Sequence, residues 1–276
     1  MIRSPFRDLP REVSILVAAS FFVAVGFGIV MPAIPVFAKS FGVNNAAIGL
    51  MVSAFAITRF ASGLISGTMV DKFGERKVFS TGVFMVSLFT FLAGVAQNYE
   101  QLLFFRAAGG LGSSMFSVAA SSVILRSVSD DQRGHAQSVY QGSFIVGGMA
   151  GPAIGGLLSV ISLRAPFFVY SILLFISGLV ALFFLKGDSI GAKVKNDSDA
   201  PATTIREALA MPAYRIALVL AFIGTWVFFG MRASILPVFV TEELDSTTAV
   251  VGYGFAISAI VQGAILLKAG RFSDAK

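Results

Sequence analysis

Three arginines set inside long apolar runs are the residues of this chain best placed to do chemistry: Arg59, Arg106 and Arg232. Each costs roughly 2.5–3.5 kcal/mol at the centre of a bilayer-spanning helix, so such a residue faces a cavity and binds something there. No Asp or Glu falls within the same runs; the acids sit in connections or at run ends. Two readings of the unpaired guanidinium groups stay open. An anionic substrate supplies the countercharge, because guanidinium forks match carboxylate and phosphate. Alternatively, acidic partners lie on further helices and a proton titrates there. Arg59 is too deep to reach the headgroups, whereas Arg232, in the outer half of its run, could equally snorkel to them. Tyr140, Gln141, Phe144, Trp226 and Gln262 could line a cavity or simply pack between helices.

The elements that must position these residues are membrane helices. Hydrophobic residues make up 56% of the 276 residues and charged ones only 13%, against about a quarter charged in a soluble domain. Apolar runs fall at 14–37, 46–69, 78–97, 100–125, 136–160, 165–186, 214–240 and 249–268. Each has about 20 residues or more, enough to cross ~30 Å of hydrocarbon as a helix. The first is too long for a cleaved signal sequence and is read as a retained span. The expected fold is an all-α polytopic membrane protein with eight spans. The absence of cysteine excludes disulfides, thiolate metal sites and cysteine nucleophiles. No phosphate-binding loop, metal-ligand cluster or Ser-His-Asp arrangement is present, so no enzyme, metal or cofactor is expected. His135 reads as a loop residue, as do Asp130, Asp131 and Arg133.

The basic residues of the connections alternate in sidedness. Arg3, Arg7, Arg11, Lys72, Arg76, Lys77, Arg126, Arg133, Lys186, Lys193, Lys195, Arg206, Arg215, Lys268, Arg271 and Lys276 share one side, and only Lys39 and Arg164 take the other. That bias places both termini in the cytoplasm of a cell (inner) membrane. The net charge of +6 is thereby spent in short loops and does not form a nucleic-acid surface. A polar segment over 187–212 reads as a cytoplasmic linker between a six-helix bundle (1–186) and the first two helices of a second half (213–276). The second half repeats the first. Residues 28–37 align with 230–239 at a shared Gly, Pro, Val and Phe. Gly49, Gly67 and Asp71 align with Gly252, Gly270 and Asp274 after a one-residue shift.

Between the second and third runs stands Gly67-Thr-Met-Val-Asp71-Lys72-Phe-Gly74-Glu75-Arg76-Lys77. It resembles the signature Gly-x-Leu-Ala-Asp-Arg-x-Gly-Arg-Arg of the major facilitator superfamily, with Met69, Val70 and Glu75 as departures. Arg106-Ala-Ala-Gly-Gly matches that family's Arg-x-x-x-Gly signature in span four. Gly147-Gly148-Met-Ala-Gly151-Pro152-Ala-Ile-Gly155-Gly156 is similar to the span-five signature of its drug/proton antiporter branch. Two ridges at four-residue spacing run there, Gly147/Gly151/Gly155 and Gly148/Pro152/Gly156, and let a neighbouring helix approach closely.

The resemblance implies two six-helix halves, of which this chain carries one and the opening of the other. It therefore reads as truncated after the eighth span. It also implies a cytoplasmic latch, in which Asp71 meets a helix N-terminus of the second half, Arg76 completes a charge cluster, and Gly270 and Asp274 mirror Gly67 and Asp71. Span five would act as a hinge. The implied activity is secondary transport of small molecules by alternating access, as proton-coupled efflux from a monomer in the lipid bilayer. Transport of a small organic anion held by the intramembrane arginines is an alternative, as is a fragment that transports nothing.

Overall fold

The computed structural model describes residues 9–185 and 205–227, with isolated positions at 239, 244, 257, 258, 261 and 265. Arg232, Gln262, Gly270 and Asp274, most of the linker and most of the run at 249–268 lie outside the described residues. The chain divides into two compact units, Met1–Val194 with Gly263–Lys276, and Lys195–Gln262.

In the first unit every described apolar run is helical, as it must be where no water is present to satisfy the backbone. The first span consists of α1 (Arg11–Val30) and α2 (Ala33–Lys39). The break at Met31–Pro32 follows from Pro32 and Pro35, which cannot donate to the carbonyls four residues earlier. The second span is also broken, into α3 (Asn45–Ala61) and α4 (Gly63–Phe73), bent by 46°. Ser62 lies at the bend; its hydroxyl donates to the Thr58 carbonyl at 2.7 Å, and the Ser66 hydroxyl donates to the Ser62 carbonyl at 2.9 Å. Such back-bonding competes with the helix ladder and bends it. A single straight span over 46–69 is the sequence expectation, and these hydroxyls are the reason for the difference.

The remaining spans are α5 (Glu75–Val95), α6 (Tyr99–Ser127), α7 (Arg133–Ile161) and α8 (Ala165–Phe184), with a 3-10 turn at Asp130–Gln132 before α7. Asn44 and Asn98 cap α3 and α6 by accepting from the Ala47 and Gln101 amides, each at 2.9 Å. The Gln101 side chain reaches back to the Gln97 amide at 2.8 Å, a near relative of the capping box. α7 is 29 residues long, about 43 Å at 1.5 Å per residue, and continues through Pro152.

Close packing depends on glycines at helix crossings. A Cβ on Gly82 of α5 would lie 2.7 Å from the Gly112 carbonyl oxygen of α6. One on Gly110 would meet the Thr58 hydroxyl of α3. Without a hydrophobic drive between helices in lipid, such approaches and interhelical hydrogen bonds hold the bundle. Ser87 and Ser171 supply a reciprocal pair between α5 and α8: each hydroxyl donates to the other's carbonyl, at 2.8 and 3.0 Å. α1 packs on α7 and α8, and α6 lies against α3 and α5. Of α3 only Met51 is buried.

In the second unit the described helices are α9 (Ile205–Ala210) and α10 (Pro212–Thr225), the latter opening with proline in its first turn. Trp226, just beyond, is exposed and lies 6.1 Å from the Phe222 ring.

Candidate functional site

Arg106, in the first half of α6, is 7% exposed and carries its guanidinium 4.7 Å over the Phe55 ring of α3. Its Nε has no hydrogen-bond partner among the described residues. A cation this deeply buried is held by the ring's negative face and lacks the full complement of acceptors it would have in water. Arg59 leaves the same crossing from the other side. Its neighbour Thr58 donates to the Ala107 carbonyl at 2.7 Å, which fixes α3 against α6 beside Arg106. From there the Arg59 side chain extends along α6, and its Nη2 donates to the Ser117 hydroxyl at 3.0 Å. Among the described residues, neither arginine is in an ion pair.

Tyr140 is buried on α7, edge-on to Phe144 with ring centroids 5.3 Å apart. Gln141 is exposed and Phe144 partly buried. Tyr170 of α8 was not singled out from the sequence, yet it is 4% exposed and its ring lies directly on Gly26 of α1. Only knowing which helix faces α1 would have distinguished it from the other aromatic residues of that span.

The signature turn between α4 and α5 holds a second cluster. Gly74 adopts φ 83°, which joins the two helices in a reversal that side chains resist. Arg126, at the end of α6, bridges two acids: Nη1 lies 2.7 Å from Glu75 and Nη2 3.2 Å from Asp71. Glu75 also accepts from the Ser122 hydroxyl at 3.0 Å and is 3% exposed. Asp71 remains 73% exposed on its side chain. Arg126, and not Arg76, thus supplies the cation of this cluster. Arg76 instead donates from Nε to the Leu182 carbonyl of α8 at 2.8 Å. Lys72 lies 5.4 Å from the adjacent Phe73 ring, and Lys77 is exposed. The sequence clue to Arg126 was Glu75 itself, an acid where the family pattern has a base. A Cβ on Gly67 would meet nothing within 4 Å among the described residues. His135 lies in the first turn of α7 and is partly buried, not a freely solvated loop residue.

The two ridges of α7 part company. A Cβ on Gly147 would lie 2.7 Å from the Ala24 Cβ; one on Gly151 would strike the Gly28 backbone, and one on Gly155 the Ile29 carbonyl. Gly148 and Gly156 would meet nothing within 4 Å among the described residues. Pro152 sits between Gly151 and Gly155 on this helix.

The Major Facilitator Superfamily profile matches residues 16–276. The chain belongs to the major facilitator superfamily. It is therefore an all-α, multi-pass membrane protein of a transporter family and not an enzyme. Multidrug resistance protein 2 of Bacillus subtilis is 25% identical over 258 residues, covering 91% of this chain and 64% of that protein. Quinolone resistance protein NorA of Staphylococcus aureus is 28% identical over 179 residues, covering 62% of this chain and 45% of that one. The chain thus spans less than two thirds of the length of these curated relatives. The crystal structure of the human organic anion transporter MFSD10 (TETRAN) has the same fold, with a TM-score of 0.75 at 17% identity over 95% of this chain and 72% of that one.

Proposed function

We propose that this chain serves proton-coupled efflux of small molecules by alternating access, with its basic connections on the cytoplasmic side of a cell membrane. The relatives named for multidrug and quinolone resistance support drug-sized cargo. The observation that carries the reading is Arg106, a buried and incompletely hydrogen-bonded cation inside a bilayer bundle. An intramembrane cation of this kind is costly to keep and supports a role in transport or coupling. Substrate would bind near the midplane, where members of this superfamily bring two repeats together. Asp71, paired with Arg126 on one oxygen but 73% exposed on its side chain, would act as the latch acid toward a helix N-terminus, an attraction of about 0.3–2 kcal/mol that biases two conformations of similar energy.

Vesicles reconstituted with the protein and subjected to a pH gradient test this. Accumulation of a fluorescent drug that collapses when the gradient is dissipated is the expected result. Accumulation indifferent to the gradient overturns proton coupling, and none at all overturns efflux. A second reading, transport of a small organic anion, is favoured by Arg59 and Arg106 having no carboxylate among the described residues. Arg59→Ala abolishes anion uptake on that reading, and unchanged uptake ends it.

A further inference from the structure

The segment Arg106-Ala-Ala-Gly109-Gly110 of α6 meets α3 where α6 carries no side chain in the way. A Cβ on Gly110 would strike the Thr58 hydroxyl, and one on Gly109 would stand 3.8 Å from the edge of the Phe55 ring. The same ring lies 4.7 Å from the Arg106 guanidinium. Two glycines in succession thus let α3 come close enough for Phe55 to cover the cation. Arg106 is buried beneath it, although Phe55 itself is only partly buried and Ile57 and Phe60 nearby are exposed.

Thr58 holds this crossing with a hydroxyl that has more than one place to go. Its single proton has three carbonyl oxygens in reach: Ala107 across the interface at 2.7 Å, and Ala54 and Phe55 of its own helix at 2.9 and 3.1 Å. Turning from Ala107 to Ala54 strands neither group. The hydroxyl remains bonded within α3, and the Ala107 carbonyl keeps its ladder bond within α6. Losing an interhelical bond in hydrocarbon is costly when it orphans a donor, and here it does not. Little else fastens the middle of α3. Met51 is its one buried residue, and the break at Ser62 uncouples it from α4. Its start is anchored where the Tyr99 hydroxyl donates to the Ala47 carbonyl at 2.7 Å. Arg59 reaches Ser117 through a long stem that follows a small displacement.

We propose that Phe55 is a movable cover over Arg106, that Thr58 is the positioning residue holding it shut, and that Gly109 and Gly110 are its seat. With the Thr58 hydroxyl on Ala107, the ring shields the guanidinium. With the hydroxyl turned back onto its own helix, α3 lifts and the cation is uncovered. Arg106 is thereby withheld in one conformation and presented in the other. This deepens the transport reading, which supplies the reason for uncovering Arg106; the cover itself does not depend on it.

The test is the rate at which phenylglyoxal, a guanidinium-modifying reagent, labels each arginine of the full chain in lipid nanodiscs, read by peptide mass spectrometry. Arg106 is expected to react more slowly than the exposed Arg59. Thr58→Val keeps the shape, removes the hydroxyl and raises the Arg106 rate about fivefold, the scale of one net hydrogen bond. Thr58→Ser keeps the hydroxyl and holds the wild-type rate. Phe55→Leu removes the ring and raises the rate as well, so it decides the matter should Thr58→Val fail to fold. Arg164, bonded to Gly94 and Ala96 away from this crossing, keeps its rate throughout. Arg106 labelling as fast as Arg59 in the wild type, or unchanged in both Thr58→Val and Phe55→Leu, overturns the proposal. So does Thr58→Ser labelling like Thr58→Val, or a rise at Arg164 matching that at Arg106. The labelling needs neither gradient nor cargo. A covered Arg106 in a protein that exports nothing counts against efflux alone, and export by a protein with Arg106 uncovered counts against the cover alone.

Discussion

Arg76 and Arg164 tie the two ends of one antiparallel helix pair. Arg76, in the first turn of α5, donates to the Leu182 carbonyl in the last turn of α8 at 2.8 Å. Arg164, which precedes α8, donates to the Gly94 and Ala96 carbonyls at the end of α5, at 3.1 and 2.9 Å. Each cation thus meets a helix C-terminus, where orphan carbonyls and the macrodipole both favour positive charge. Ser87 and Ser171 repeat the exchange between them. The pair is fixed at its top, middle and bottom without a carboxylate.

Arg164→Ala is expected to destabilise the protein by about 1–3 kcal/mol, since two charge-assisted bonds and a cation stacked 5.4 Å over Phe37 are lost together. Arg164→Lys recovers part of this through the charge but not the paired geometry. Unfolding in detergent, followed by circular dichroism, measures both.

Breaking the Glu75–Arg126 pair is expected to cost about 2–3 kcal/mol from either side, because each variant strands a charge or its partner at a largely buried contact. Glu75→Arg and Arg126→Glu should each fall below the wild type in stability, and the doubly exchanged protein should regain most of the loss. A double variant no better than either single one would show that Ser122 and the turn, not the charge pair, set the geometry.

The helices and their order were legible because about 20 consecutive apolar residues admit one structure in a bilayer. The break in the second span was not, since Ser62 and Ser66 read as ordinary small residues until their hydroxyls are seen to bond backward. Arg59 and Arg106 were recognisable from the cost of burying a cation. Tyr170 and Ser117 were not, because nothing in a single sequence says which helix faces they meet. Arg126 was counted among the basic loop residues, and its real position follows from the path of α6 past the signature turn.

The two ridges of α7 give a contrast within one helix. Gly151→Ala and Gly155→Ala force a methyl group into the α1 backbone and are expected to destabilise by about 1–3 kcal/mol. Gly148→Ala and Gly156→Ala meet nothing among the described residues and should be neutral, or stabilising by about 0.5–1 kcal/mol through helix propensity. Should Gly148→Ala abolish transport while leaving the melting temperature intact, that face of α7 closes against another helix during the cycle.

Gly74 and Gly67, the two glycines of the signature turn, should separate in the same way. Gly74 sits at φ 83° and ψ 157°, a conformation all but closed to other residues, so Gly74→Ala is expected to cost about 1–3 kcal/mol and to loosen the α4–α5 reversal. Gly67 is helical and open, so Gly67→Ala should leave stability unchanged. Its effect on activity is then informative in its own right. A stable Gly67→Ala protein that no longer transports in vesicles requires a close approach at Gly67 in some other conformation, as a latch would make, whereas full activity rules out such an approach.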